Sequence, residues 1–100
     1  MEKDRKLIWD PHALTRLEKS LEWISKTSIQ QAEQVEQAIL ERIEIIRVHP
    51  ERHPPDKYKR NNSGSYRAFE ILSYRISYHY TEDEIRILRF RHVKQEPKEY

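Results

Sequence analysis

The sequence predicts an α+β fold of order β-α-α-β-β-β, a helical hairpin packed on one face of a small, mainly antiparallel sheet. Three observations predict it. From Tyr66 to His92, three runs alternate large apolar or aromatic residues with polar or basic ones, the period of two that marks half-buried strands. Between Pro11 and Pro50 the apolar residues recur every three or four positions instead, the helical period, with one interruption at Lys26-Thr27. The chain has 100 residues, 36% hydrophobic and 36% charged, which makes residues 1–100 a single domain with one modest core.

A charged start, Met1 to Lys6, leads into Lys6-Leu7-Ile8-Trp9, a short strand expected to join the later ones. Asp10-Pro11 then opens a helix, because Asp is a good N-cap and Pro fits the first helical position. Leu14, Leu17, Leu21 and Ile24 form its apolar stripe, with Trp23 to one side. Ser28, followed three residues later by Gln31, resembles a capping box for a second helix. That helix buries Ala32, Val35, Ile39, Ile43 and Ile46, with Ala38 alongside, and stops before Pro50, whose predecessor avoids the helical region. The two helices form an antiparallel hairpin that covers the apolar face of the sheet. His49 to Gly64 is irregular: it holds Pro50, Pro54, Pro55, the only Gly of the chain and the cluster Lys57-Tyr58-Lys59-Arg60. A connection of this length is often functional.

The meander follows. A two-residue loop at Leu72-Ser73 sets Ile71 opposite Tyr74, Glu70 opposite Arg75 and Phe69 opposite Ile76. Phe69, Ile71, Ile76, Tyr78 and Tyr80 then share an apolar face, while Ala68, Glu70, Arg75, Ser77 and His79 share a polar one. Neither loop residue is Gly or Asn, so no particular turn type is specified. The last strand carries two conflicting patterns. If Leu88 and Phe90 face the core, Arg89 and Arg91 join Arg75 outside; a four-residue loop at Thr81–Glu84 would instead bury Ile85 and Ile87. The first choice suits the carboxyl half, since burying Arg89 and Arg91 is costly, and a bulge would reconcile both halves. The contacts expected are Phe69, Ile76, Tyr78, Leu88 and Phe90 against Leu14, Leu17, Leu21, Val35, Ile39 and Ile43.

No apolar run approaches a membrane span, no signal peptide is evident, and there is no cysteine for a disulfide or a thiolate metal site. A cytoplasmic protein without membrane contact is expected. Net charge is +2 but uneven: residues 1–56 hold nine Lys/Arg against eleven Asp/Glu, a net of −2, and residues 57–100 hold ten against six, a net of +4. The sheet half is the basic half, which suits either a polyanionic partner or ordinary solvation.

In this order the motifs resemble the RelE/ParE superfamily of toxins from bacterial type II toxin–antitoxin systems, over nearly the whole chain. Ser73-Tyr74-Arg75-Ile76-Ser77-Tyr78 is similar to the family's "YR-x-x-Y" strand, and Ile87-Leu88-Arg89-Phe90-Arg91-His92 to its "I-L-R-V-x-H" strand. The Asn62-Ser63-Gly64 turn and the tail Glu96-Pro97-Lys98-Glu99-Tyr100 are similar too. The resemblance implies a cognate antitoxin, expected to cover basic surface, and one of two targets. RelE-like members cleave mRNA on the ribosome; ParE-like members poison DNA gyrase and are not known as nucleases. The expected activity is ribosome-dependent mRNA cleavage; gyrase inhibition, or a relative that only binds its antitoxin, is the alternative.

For mRNA cleavage no metal or other cofactor is expected. The five histidines, His12, His49, His53, His79 and His92, are scattered without ligand spacing, and there is neither a Gly-rich phosphate loop nor a nucleophilic triad. Metal-free cleavage needs only a base for the attacking 2′-hydroxyl, an acid for the leaving oxygen and cations for the phosphate. By the resemblance, Arg75 is the phosphate cation, His92 or Glu70 the proton carrier, and Tyr100 a tyrosine that stacks on a base. A cross-strand Arg75–Glu70 pair, a structural His92 and a frayed tail are the plain alternatives. Lys57, Lys59, Arg60, Arg67, Arg89, Arg91 and Lys94 are the candidate nucleic-acid contacts, although the register turns Arg67 toward the core side.

Overall fold

The computed structural model describes residues 4–95 and 98–100; the expectations for Met1–Lys3 and for Glu96 and Pro97 lie outside the described residues. Strand β1 (Lys6–Trp9), helices α1 (Pro11–Ser25) and α2 (Ile29–Val48), and strands β2 (Tyr66–Ile71), β3 (Tyr74–Tyr80) and β4 (Glu84–His92) follow in the expected order, with one short 3-10 turn at Pro50–Arg52. The sheet runs β1-β4-β3-β2, with β1 parallel to β4 and the other neighbours antiparallel.

The helix starts are chemical. The Asp10 side chain accepts from the His12 N–H at 2.9 Å with Pro11 in the first turn, and Ser28 Oγ accepts from the Gln31 N–H at 3.1 Å. Each satisfies a donor the helix itself leaves unpaired. Among the described residues no helix is long and apolar enough to cross a membrane. The hairpin covers one face of the sheet: Leu17, Val35, Ile39 and Ile43 pack with Phe69, Ile76, Tyr78 and Phe90 in one buried cluster. Tyr78 carries a polar group into it and satisfies that group by donating to the Pro50 carbonyl at 2.6 Å.

Two expected core positions are corrected. Leu14 is 37% exposed, and its place is taken by the fully buried Ala13. Ala13 and Leu17, four residues apart, form the buried side of α1, and Leu14 lies beside it at the rim. Leu88 is only half-buried, because a bulge lies between Ser77↔Arg89 and Tyr78↔Ile87 and leaves it without a cross-strand partner. The bulge lets Ile85 and Ile87 on one side and Phe90 on the other all face the core. Trp23 lies at the hairpin tip, 72% exposed, with the Lys26 ammonium 5.8 Å from its ring centroid.

The β2–β3 pairing has the predicted register, Glu70↔Arg75 and Phe69↔Ile76. Its two loop residues both take positive φ, Leu72 at 49° and Ser73 at 74°. Such a turn matches the twist of the strands but strains residues with a Cβ. Replacing Leu72-Ser73 by Asn-Gly is expected to stabilise the protein by about 1 kcal/mol. A urea melt showing no gain would mean that the turn conformation differs.

Candidate functional site

The sheet face turned away from the helices is basic at its surface and closed at its centre. Arg75 is at that centre. Its guanidinium donates to Asp56 Oδ1 at 2.8 Å and to Glu70 Oε2 at 3.1 Å, with Arg75 and Asp56 side chains 9% and 0% exposed and that of Glu70 54%. The loop delivers Asp56 by running along the outer edge of β2: Pro55 bridges Arg67, and the Asp56 N–H donates to the Tyr66 carbonyl at 2.8 Å. Asn62 holds the far end of this loop, its amide donating to the Tyr66 carbonyl and its Oδ1 accepting from the N–H of Gly64, where φ is +111°.

Asp56 is shared. Besides Arg75 it accepts from the Tyr58 N–H at 3.0 Å and from the Tyr100 hydroxyl at 2.6 Å. Burial pushes its carboxyl up, but hydrogen bonds from Tyr100, the Tyr58 N–H, Arg75 and Ser77 outweigh burial and hold it below the ordinary carboxylate value. Tyr100 moves the other way: burial, then the hydrogen bond to Asp56 and its charge, raise the phenol well above the ordinary tyrosine value. The tail is fixed by its backbone as well, the Tyr100 N–H donating to the Tyr58 carbonyl at 3.0 Å and the Arg60 N–H to the Tyr100 main-chain oxygen at 2.7 Å.

The remaining cations of this face lie over rings. The Tyr58 ring has the Arg75 guanidinium 4.9 Å, the Lys57 ammonium 5.2 Å and the Arg91 guanidinium 5.5 Å from its centroid. Tyr100 has Arg89 at 4.6 Å and Lys59 at 5.3 Å, and Lys59 is also 4.7 Å from Tyr66. Arg75, Glu70 and Tyr100 are therefore brought together, with Lys59, Arg89 and Arg91 beside them. Lys57 and Arg60 stay exposed at the rim. Arg67 is on the helix side, as the register predicts, and spans the carbonyls of Gly64 and His53, both at 2.8 Å.

His92 is not brought to Arg75. It pairs with Tyr74 across the strands and packs edge-on against that ring at 5.4 Å, on the face that carries Phe90. Its Nδ1 accepts from the N–H of Lys94, whose side chain is in solvent. His92 and Arg75 therefore lie on opposite faces, while Glu70, the other proton-carrier candidate, lies beside Arg75. Asp56 is the functional-looking residue that sequence reasoning missed. It lies 19 residues from Arg75 and 44 from Tyr100, in a loop without periodicity, and its one local sign is an Asx turn onto Tyr58. Among the described residues no three His, Asp or Glu side chains come together as a metal site.

A family model described as "ParE toxin of type II toxin-antitoxin system, parDE" matches residues 7–97. The curated proteins contain no match to the chain.

Proposed function

The chain belongs to the ParE toxin family of type II toxin–antitoxin systems, which gives it a cognate antitoxin as partner, and from that premise we propose that it acts by binding DNA gyrase rather than by cutting mRNA. The observation that carries this reading is the closure of Arg75. A cation that stabilises a phosphorane-like transition state must be accessible and carry a charge that is not already cancelled. Here Asp56 and Glu70 each bond one terminal nitrogen and offset the charge of a side chain only 9% exposed, and Tyr100 in turn holds Asp56 in place. Nuclease chemistry at Arg75 would require that cluster to open and Glu70, the proton-carrier candidate on the same face, to give up its ion pair with Arg75. Protein-directed inhibition requires neither; it needs a rigid surface, and a buried, fully bonded network supplies one.

The test is a paired assay with one protein preparation. Purified gyrase supercoiling a relaxed plasmid is expected to lose activity as toxin is added, while mRNA in a translating extract stays intact. Cut mRNA with unimpaired supercoiling would replace this reading with the ribosome-dependent endonuclease. Arrest in neither assay, with antitoxin still bound, would leave a relative whose one partner is its antitoxin.

A further inference from the structure

We propose that the recess between α1 and the outer edge of β4 is a binding site for phosphate groups. The recess holds about 360 Å³ and is lined by five basic residues, His12 and Arg16 from α1, Arg89 and Arg91 from β4, and Lys98 from the tail. Among the described residues no acidic side chain lines it. Its mouth is open because β1 pairs with β4 along Glu84–Ile87 and, among the described residues, no strand lies beyond Leu88 on that side.

Among the described residues, neither arginine that β4 gives to the recess meets a carboxylate. Arg47, Arg75 and Arg86 each meet a carboxylate. Arg89 and Arg91 are held by carbonyls instead, Arg89 by that of Lys98 at 2.6 Å and Arg91 by that of Gln95 at 3.0 Å. A carbonyl fixes the direction of a guanidinium without cancelling its charge, and the rings of Tyr100 and Tyr58 beside them do the same. Two of the recess's positive charges, those of Arg89 and Arg91, are therefore held in place, with Arg16 and Lys98 exposed beside them. A single carboxylate would be satisfied by one of them. A phosphate group, with up to two negative charges and three terminal oxygens, uses several at once. Free polyphosphates or nucleotides and the backbone of a nucleic acid share this chemistry. The site does not depend on the target assigned above, since neither gyrase inhibition nor mRNA cleavage was used to find it.

Calorimetry with tripolyphosphate at about 0.15 M salt, where long-range charge effects are screened, tests the proposal. Arg16 is exposed and has no described partner, so Arg16→Glu keeps the fold, checked by its melting temperature. Arg52→Glu reverses an exposed charge outside the recess and is the control. The expected result is saturable one-to-one binding that Arg16→Glu weakens by about tenfold or more and Arg52→Glu leaves unchanged. No saturable binding by the unaltered protein, or equal losses in both variants, would overturn it. A short DNA duplex that displaces tripolyphosphate assigns the site to nucleic-acid backbone; a duplex that does not displace it assigns the site to free polyphosphates or nucleotides.

Discussion

Replacing Asp56 by Ala is expected to destabilise the protein by about 3–5 kcal/mol, because it leaves a buried guanidinium without its buried partner. The Arg75 side chain is 9% exposed and that of Asp56 0%, so water cannot take over the lost contacts. The Arg75 guanidinium, the Tyr58 N–H and the Tyr100 hydroxyl, with Ser77 beside them, lose their acceptor together. Glu70 remains but is half in solvent and compensates weakly. The pair separates charge from packing. Arg75→Met alone strands the carboxylate, whereas Asp56→Ala with Arg75→Met removes both charges, so the double variant should cost less than the sum of the singles by more than about 1 kcal/mol. Urea melts at neutral pH measure all three. Additive costs, or a cost of Asp56→Ala below about 1 kcal/mol, would mean that the pair is not closed in solution. The same residue sets the acid limb. Its folded carboxyl is held below the unfolded value of about 4, so its stabilisation is complete above that pH and drains as pH falls through the lower folded value. Asp56→Asn should flatten that part of the stability profile and leave the neutral region's slope unchanged.

What the sequence made legible follows the reach of each signal. Local signals were sufficient for the helices, because a cap and its target are two or three residues apart: Asp10 to the His12 N–H, Ser28 to the Gln31 N–H. Alternation was sufficient for the β2–β3 register, because an offset by one residue would have put Arg75 among the core side chains. In β4 the two patterns that seemed to compete were both real. Ile85 and Ile87 keep one parity, Phe90 the other, and such a break inside a strand is itself the sign of a bulge. His92 was legible by the same rule. Two residues past Phe90 it had to share the helix-side face, and only the family resemblance drew it toward Arg75. Helix α1 shows the limit of periodicity: Leu14 and Ala13 both fall near the stripe, and the helix's rotation on the sheet buries Ala13 with Leu17. The Asp56–Arg75–Tyr100 cluster was out of reach altogether, since a loop and a tail meet there through side chains alone.

The last expected result separates the two halves of β4. Phe90→Ala should cost about 3–5 kcal/mol, the usual range for a buried aromatic cut back to a methyl group. Phe90 is 2% exposed, and its ring stacks on Tyr74 at 4.9 Å with an interplanar angle of 21°. The truncation therefore loses transfer energy, leaves a cavity and breaks an aromatic pair that adds about 0.5–1.5 kcal/mol of its own. Leu88→Ala should cost less than about 1.5 kcal/mol, since the bulge already leaves that side chain half in solvent and facing no cross-strand partner. Urea melts of the two variants are enough to decide. If Leu88→Ala proves the costlier, the bulge lies elsewhere in the strand. For a domain whose whole stability is of the order of 5–15 kcal/mol, the Phe90 loss is a large fraction. Phe90→Ala should then relieve growth arrest in cells through a smaller folded population.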